Sequence, residues 1–463
     1  MMFGVRALSR PRPSATAVFA VAMGVLVTGC TQAVPGRPDA ARPPVTVSAA
    51  PAPSPQAPVP LSPDGVATAA TGAIQDVWRG AFPAAFGRPW NDIRTFAPVR
   101  TGHPATSRPP CVERVADLVG QAFYCPTADA VVWDADTLLP DLHRRFGSAG
   151  VMVALAHEVG HAVQSRLGID AAQAGDPGRY PAVLLETMAD CYAGVVFAKL
   201  AERPVAGLAV DPKARDAALL ALVGFRDPLG VLPGNDSAHG NAFDRVSAFQ
   251  DGFRDGAARC SGMTVDNRSF TQRRFGSAAD QARGGDLPLP VLLEALQQDA
   301  DQWFGALSPG WRVPPIGGAS CPAHVPVTQG PVRFCAADGV LSIDQGALDT
   351  LHREVGDYAG ATLLASRYGI ALLAALGAET EGPAAGAAAV CLAGAYTGAL
   401  VEPDGGFTLS PGDLDEAVQV LLTHDWAARD SAGGVDTTES GFDRVSRFRD
   451  GLLGGPHGCL PNR

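Results

Sequence analysis

Four cysteines recur in the same arrangement in the two halves of the chain. Of the nine cysteines, Cys30 stands apart near the N-terminus. The other eight form two sets, in which the first two cysteines are 14 residues apart and the last two are 69 or 68 residues apart. A period of about two hundred residues is too long for a solenoid and predicts a duplicated domain. The two sets are Cys111, Cys125, Cys191 and Cys260, and then Cys321, Cys335, Cys391 and Cys459.

The sequence around these cysteines repeats as well. The run Phe-Asp-Arg-Val-Ser at 243–247 returns at 442–446, and the segment 147–168 aligns with 356–377, each beginning and ending with glycine. We therefore predict one domain at 66–262, a connector at 263–286 and a second copy of the domain at 287–460.

Two copies of a four-cysteine domain allow three disulfide pairings per copy. We favour Cys111 with Cys125, which would hold a strand pair at 122–125 and 130–133 together. Cysteine ligation of zinc is the alternative, but no Cys-x-x-Cys spacing supports it. The complete predicted set is Cys111 with Cys125, Cys191 with Cys260, Cys321 with Cys335, and Cys391 with Cys459.

The first thirty residues have the pattern of an export signal. Three arginines precede an apolar run at 15–27 that is too short to span a bilayer. The run ends on Val-Thr-Gly-Cys30, which resembles a bacterial lipobox and predicts lipidation of Cys30 and anchoring on the extracytoplasmic face of the cell membrane. An ordinary secretory signal with an incidental cysteine is the alternative. Residues 31–65, rich in Pro and Ala, are predicted to be a disordered tether.

Charge and composition limit the partners. The chain of 463 residues is 46% hydrophobic, which is enough to form buried cores. It carries 36 basic and 47 acidic residues, for a net charge of −11, and no stretch rich in Lys or Arg. Because nucleic-acid binding needs a basic surface, we predict no nucleic-acid partner. The sequence does not indicate the oligomeric state.

The segment His157-Glu158-Val159-Gly160-His161 has the spacing of a metal site. We predict a helix at 149–167, capped by Ser148 and ended by Gly168, on which the two imidazoles are neighbours and can reach one ion. Glu158 would lie beside that ion. Zinc lowers the pKa of a bound water toward about 7, and Glu158 could then accept its proton as a general base.

A second predicted helix, from Pro181 to about Leu200, carries Glu186 and Asp190 on one face. Glu186 is placed to be a third ligand, which leaves a fourth position open for water. Asp190 would accept the second ring N–H of a histidine ligand. Asp190 as the ligand, with the roles exchanged, and a solvated acidic face are the alternatives.

These residues carry a resemblance to a known family. The run from His157 to Gln164, followed by Glu186-x-x-x-Asp190-Cys191-Tyr192-Ala193-Gly194, resembles the putative neutral zinc metallopeptidases of bacteria, whose wider relatives are the gluzincins. The resemblance extends from about Cys111 to Cys260. It implies a zinc metallopeptidase that cleaves proteins or peptides, with one Zn²⁺ held by His157, His161 and Glu186. Together with the duplication, this predicts an α+β fold: two homologous zincin-like domains, each with a small disulfide-stapled β element and a pair of active-site helices.

The resemblance extends to a histidine beyond the two helices. Gluzincins place a histidine, oriented by an acid, where it can donate to the oxyanion of the tetrahedral intermediate. His239, with Asp236 nearby in sequence, resembles that arrangement. A loop histidine with no role is the alternative.

The second copy lacks every one of these residues. Ser366, Arg367 and Ile370 stand opposite the His-Glu-His set, Gly386 and Val390 stand opposite the two acids, and Thr438 stands opposite His239. We therefore predict that the second copy is degenerate and metal-free and serves substrate or partner binding.

Two other functions remain open on the sequence alone. One is a non-catalytic, envelope-binding lipoprotein with a structural zinc. The other is a zinc amidase that acts on a cell-wall substrate.

Overall fold

The computed structural model describes residues 61–103, 108–317, 330–402 and 406–460. The predicted signal peptide, Cys30 and all but the last residues of the predicted tether lie outside these ranges. So does Cys321, and with it the predicted pair Cys321 with Cys335. The described residues belong to one compact unit.

The first half contains seven α-helices and three strands among its described residues. The helices are α1 (Pro63–Phe86), α2 (Leu138–Leu167), α3 (Ile169–Gly175), α4 (Ala182–Glu202), α5 (Pro212–Gly224), α6 (Ala242–Asp255) and α7 (Ala257–Ser261). The strands are β1 (Thr95–Val99), β2 (Ala122–Cys125) and β3 (Ala130–Asp134).

The remainder of the described chain contains a further seven α-helices and two strands. The helices are α8 (Ala278–Ala282), α9 (Leu289–Leu307), α10 (Gln345–Glu354), α11 (Asp357–Ala375), α12 (Pro383–Ala399), α13 (Asp413–Thr423) and α14 (Gly441–Gly454). The strands are β4 (Val332–Cys335) and β5 (Val340–Ile343).

The β elements are small, as predicted. Strands β2 and β3 pair antiparallel, with Cys125 opposite Ala130, and β4 pairs antiparallel with β5. Strand β1, which was not predicted, adds to the other edge of β3 in parallel. The prediction of a mixed α+β fold with small sheets is confirmed.

Three of the four predicted cysteine pairs lie at disulfide distance in the structure. Cys111 and Cys125 join the β2 strand to the preceding loop. Cys191 and Cys260 connect α4 to α7, and Cys391 and Cys459 connect α12 to the C-terminal turn.

Helix α2 begins earlier than predicted. It starts at Leu138 and contains a kink at Gly147, whose φ of 62° and ψ of −156° are not helical. The predicted helix at 149–167 is therefore the segment after the kink, with the non-helical residue at Gly147, one residue before the predicted cap Ser148. The helical segment before the kink, on which Leu139 and Leu142 are buried, was not predicted. The end was predicted correctly, because Gly168 takes the left-handed conformation that closes a helix.

Helix α4 is buried between α2 and α6, and glycines permit its crossing with α6. A Cβ on Gly194 would lie 2.0 Å from the carbonyl oxygen of Phe249, and one on Gly252 would lie 1.7 Å from that of Cys191. Only glycine allows backbones to approach this closely. The α12–α14 crossing of the second half has the same contacts, at 1.8 Å from Gly394 to Phe448 and 1.9 Å from Gly451 to Cys391.

The two halves meet through α5 and α6 on one side and α13 and α14 on the other. One hydrophobic cluster runs through both, from Trp78 and Tyr192 to Phe304 and Tyr396. In the part of the chain that the structure describes, no helix combines the length and the apolarity that a bilayer span requires.

Candidate metal centre

A close crossing of α2 and α4 builds the site. A Cβ on Gly160 would lie 2.8 Å from both the Cα and the carbonyl oxygen of Ala189. The two backbones can therefore nearly touch at this point. Each helix presents its pair of predicted site residues, spaced four apart, to the same space beside the crossing.

Three side chains converge there with their donor atoms together. Nε2 of His157 lies 3.2 Å from Nε2 of His161. The carboxylate of Glu186 places Oε2 3.1 Å from Nε2 of His157 and Oε1 3.4 Å from Nε2 of His161. These three residues form one of two clusters of potential metal-ligating groups among the described residues.

The outer nitrogens of both imidazoles face acceptors. Nδ1 of His157 lies 2.8 Å from Oδ1 of Asp190, and Nδ1 of His161 lies 3.0 Å from Oε1 of Gln164. With a proton on each Nδ1, both Nε2 atoms carry lone pairs, which point at each other and at a carboxylate. Oε2 of Glu186 is buried and has no hydrogen-bond partner among the described residues. A cation between these atoms would pair with all three donors, and His, His and Glu are ligands that zinc accepts.

Arg245 holds the carboxylate of Asp190 in position. The guanidinium places Nε 2.9 Å from Oδ2 and Nη2 3.0 Å from Oδ1 of Asp190, and Nη1 donates to the carbonyl oxygen of Phe225. Asp190 is completely buried and Arg245 nearly so. The result is a chain of contacts, Arg245 to Asp190 to His157, that fixes the orientation of one imidazole.

The electrostatics of the site favour positive charge. Burial lowers the pKa of His157, but the carboxylates of Asp190 and Glu186 outweigh burial and raise it to about 10. Burial raises the pKa of Glu186, but the two imidazoles and Arg245 outweigh it and hold this pKa well below its usual range. The carboxylates therefore attract a cation to the imidazoles, whether a proton or a metal ion.

Glu158 and His239 lie on the walls of the cavities that reach the site. One cavity of about 320 Å³ and another of about 410 Å³ are both lined by His157, Glu158 and His239. Glu158 is 9% exposed, whereas the side chain of His239 is 53% exposed. A peptide in either cavity would thus contact all three residues.

The carboxylate beside His239 is Asp227, which the sequence analysis did not identify. Oδ1 of Asp227 lies 3.3 Å from Nδ1 of His239, and Oδ2 accepts from the backbone N–H of His239 at 2.8 Å. Asp236 is exposed, and the carboxylate contacts described for His239 are with Asp227. The prediction that Asp236 orients this histidine is therefore replaced by Asp227.

The sequence analysis also did not assign roles to Gln164 and Arg245. Gln164 lies three residues after His161, so helical spacing alone could have suggested the contact. Arg245 belongs to the repeated Phe-Asp-Arg-Val-Ser run, which was used only as evidence of a duplicated domain. In the second half the matching Arg444 donates instead to the carbonyl oxygen of Leu421.

In the second half, other groups fill the corresponding space. The turn Trp426–Ala428 packs on α12 so closely that a Cβ on Gly386 would lie 2.0 Å from the carbonyl oxygen of Ala428. Arg367 is buried and donates to the carbonyl oxygen of Ala427 at 2.8 Å.

Residues 103–263 match the model of a family described as Putative neutral zinc metallopeptidase. The match covers less than half of the chain but includes every residue discussed above in the metal centre. The resemblance identified from the sequence motifs is thus confirmed for this part, and the family implies Zn²⁺ as the metal. No curated protein and no solved structure matches the chain.

Proposed function

We propose that the chain is a zinc metallopeptidase whose single active site lies in the first half, at His157, His161 and Glu186. The observation that carries this proposal is the convergence of the two Nε2 atoms and a carboxylate, with both Nδ1 atoms facing acceptors. Three protein ligands leave a coordination position open, as catalytic zinc sites do. Bound zinc would lower the pKa of a coordinated water and polarise the substrate carbonyl.

Glu158 is the general base in this proposal. It lines both cavities beside His157, so its carboxylate can accept a proton from the attacking water. The same carboxyl then donates that proton to the nitrogen of the leaving amine. Asp190 and Arg245 keep the imidazole of His157 in the tautomer whose Nε2 faces the ligand cluster.

His239 is the oxyanion donor in this proposal. Asp227 takes the Nδ1 side of the ring, so Nε2 remains available to donate a hydrogen bond into the cavity. The imidazole ring of His239 is exposed, as expected of a group that contacts substrate.

The test of this proposal replaces Glu158 by Gln in the full chain. We expect the variant to bind one zinc per chain, as the native protein does, and to lose about 10²-fold to 10⁴-fold of its rate of cleavage of an unstructured protein. The matched control is Glu202→Gln, at the exposed end of α4, where the carboxylate pairs with Lys199. It should cleave normally.

The same experiment separates the alternatives. A non-catalytic lipoprotein with a structural zinc would bind zinc and cleave nothing in any form, with four protein ligands in its X-ray absorption spectrum. A cell-wall amidase would release products from peptidoglycan while leaving the protein substrate intact. Either result would overturn the peptidase proposal.

We also propose that the protein is exported and lipid-anchored through Cys30. Three cysteine pairs at disulfide distance support an oxidising compartment. Cys30→Ser should abolish labelling by a fatty-acid analogue and release the protein from the membrane fraction. Retention of the label on the variant would refute the anchor.

The second half is, in this proposal, a degenerate metal-free copy of the first. The matched glycine crossings of α4–α6 and α12–α14 support common descent. The packing of Trp426–Ala428 on Gly386 leaves no room there for a ligand side chain. Zinc stoichiometry of one per chain is the expected measurement, and two would contradict the proposal.

A further inference from the structure

A second cluster of potential metal-ligating groups lies far along the chain from the proposed zinc site. Asp286 of the connector, Asp357 at the start of α11 and Glu416 in the first turn of α13 place one oxygen each within 4.8 Å of one another. Asp357 is 3% exposed and Glu416 is 8% exposed. Asp413, which is 3% exposed, begins α13 beside them.

Backbone N–H groups occupy only part of the oxygens in this cluster. Leu287 donates to Oδ2 of Asp357 at 2.6 Å, and Tyr358 donates to Oε2 of Glu416 at 2.7 Å. Oδ1 of Asp357 is buried and has no hydrogen-bond partner among the described residues. A buried carboxylate oxygen without a partner is costly, so this oxygen is available to coordinate a cation.

The positive groups near the cluster are His352 and the arginines of the neighbouring cavity, Arg273, Arg274 and Arg283. His352 interacts electrostatically with the carboxylates of Asp286 and Asp357, but its Nε2 lies 2.7 Å from the carbonyl oxygen of Leu287. Arg273, which lines the neighbouring cavity, interacts electrostatically with the carboxylate of Asp413. The carboxylates of Asp286, Asp357 and Glu416 carry like charges with oxygens within 4.8 Å of one another, so they repel. A cation would relieve this repulsion.

The acids are not a requirement of the repeated scaffold. Ser148 follows Gly147 in the first half, where Asp357 follows Gly356 in the second. A Cβ on Gly356 would lie 2.0 Å from Cδ of Glu416, whereas one on Gly147 would meet nothing within 4 Å. The glycine with φ of 136° thus leaves space that the Glu416 carboxylate fills. An open cavity of about 1030 Å³ lined by Asp357 and Asp413 provides access for an ion and water.

We propose that Asp286, Asp357 and Glu416 bind a divalent cation of the calcium type, with Asp413 as a neighbouring charge. All the donors are oxygens, which suit Ca²⁺ and not the ligand preference of zinc. Two oxygens on opposite sides of Ca²⁺ are about 4.8 Å apart, so the cluster can close on this ion. The site ties the connector to α11 and α13 of the second half and does not depend on the proposed peptidase.

Equilibrium dialysis of the full-length, zinc-loaded protein against ⁴⁵Ca²⁺ tests the proposal. We expect saturable uptake of one Ca²⁺ per chain and a higher melting temperature with Ca²⁺. Asp357→Asn and Glu416→Gln should each weaken binding at least tenfold. Glu294→Gln, an exposed acid on α9, should bind as the native protein does.

The Glu186→Gln variant separates this inference from the zinc site, because it should lose zinc and keep Ca²⁺. No saturable uptake by the native protein at millimolar Ca²⁺ would overturn the proposal, and so would uptake that both neutralised variants retain. In that case the cluster holds protons instead. Circular dichroism verifies folding, and if Asp357→Asn does not fold, the Glu416→Gln comparison decides.

Discussion

Oδ1 of Asp190 lies 2.8 Å from Nδ1 of His157, and the two residues belong to different helices. Asp190 is itself held by a further contact, because Arg245 contacts both of its carboxylate oxygens. The pair therefore fixes the ring on which the proposed zinc site depends, although Asp190 itself would not touch the metal.

Asp190→Asn tests this positioning role. The amide keeps the shape but loses the charge that favours a proton on Nδ1 of His157, so we expect zinc affinity to fall about 10-fold to 100-fold. Competition with a chelator measures this affinity. At saturating zinc, cleavage should recover most of its native rate, since Glu158 and the ligands are intact. If Asp190 were itself the ligand, the variant would lose zinc, and saturating zinc would not restore cleavage.

Gly160→Ala tests the helix crossing that brings the ligands together. The new methyl would meet the backbone of Ala189 at 2.8 Å, and such overpacking costs about 1–3 kcal/mol of unfolding free energy. Zinc affinity should fall with it because α2 and α4 must separate. Urea denaturation gives the free energy.

The control for this substitution is Gly72→Ala in the exposed interior of α1. A Cβ there meets nothing within 4 Å, so helix propensity predicts a gain of about 0.5–1 kcal/mol. Equal losses in both variants would show that the close crossing is not the cause.

His239→Phe tests the proposed oxyanion donor. Removal of one such donor reduces kcat by about 10²-fold to 10³-fold, with little change in KM. Asp227→Asn should produce a smaller fall in kcat, because it only orients the ring. Asp236→Asn should have no effect, and steady-state kinetics on one peptide compares the three. A full loss in Asp236→Asn with none in Asp227→Asn would favour the original interpretation from the sequence.

Short-range spacing accounts for what the sequence could predict. His157 and His161, like Glu186 and Asp190, share a helix face because they are four residues apart. The cysteine repeat predicted the observed pairs for a different reason, since it reduced the possible combinations to a few.

Contacts between distant segments were not predictable in this way. Arg245 reaches Asp190 across 55 residues, and β1 joins β3 in parallel from 35 residues upstream. Nor does the sequence reveal which acid lies beside His239, because the loop at 225–240 brings Asp227 back to it, while Asp236 is exposed.

The two halves cap each other's helices reciprocally. Asp216 on α5 accepts from the backbone N–H of Phe442 at 2.7 Å and of Gly441 at 2.8 Å, at the start of α14. Asp415 on α13 accepts from the backbone N–H of Phe243 at 3.2 Å, at the start of α6. Because each half supplies an acceptor to the other, we expect both to unfold in one cooperative transition.

Asp216→Ala tests this coupling. It leaves two amides at the start of α14 without their acceptor, and loss of such a cap costs about 0.5–2 kcal/mol. Asp211→Ala is the matched control, since Asp211 caps α5 by accepting from Ala214 and makes no contact with the other half among those described. Both variants should lose similar stability, but only Asp216→Ala should broaden the urea transition or divide it in two, as followed by circular dichroism and tryptophan fluorescence together. A single sharp transition in both variants would mean that the apolar cluster shared by the halves, and not the reciprocal caps, couples their unfolding.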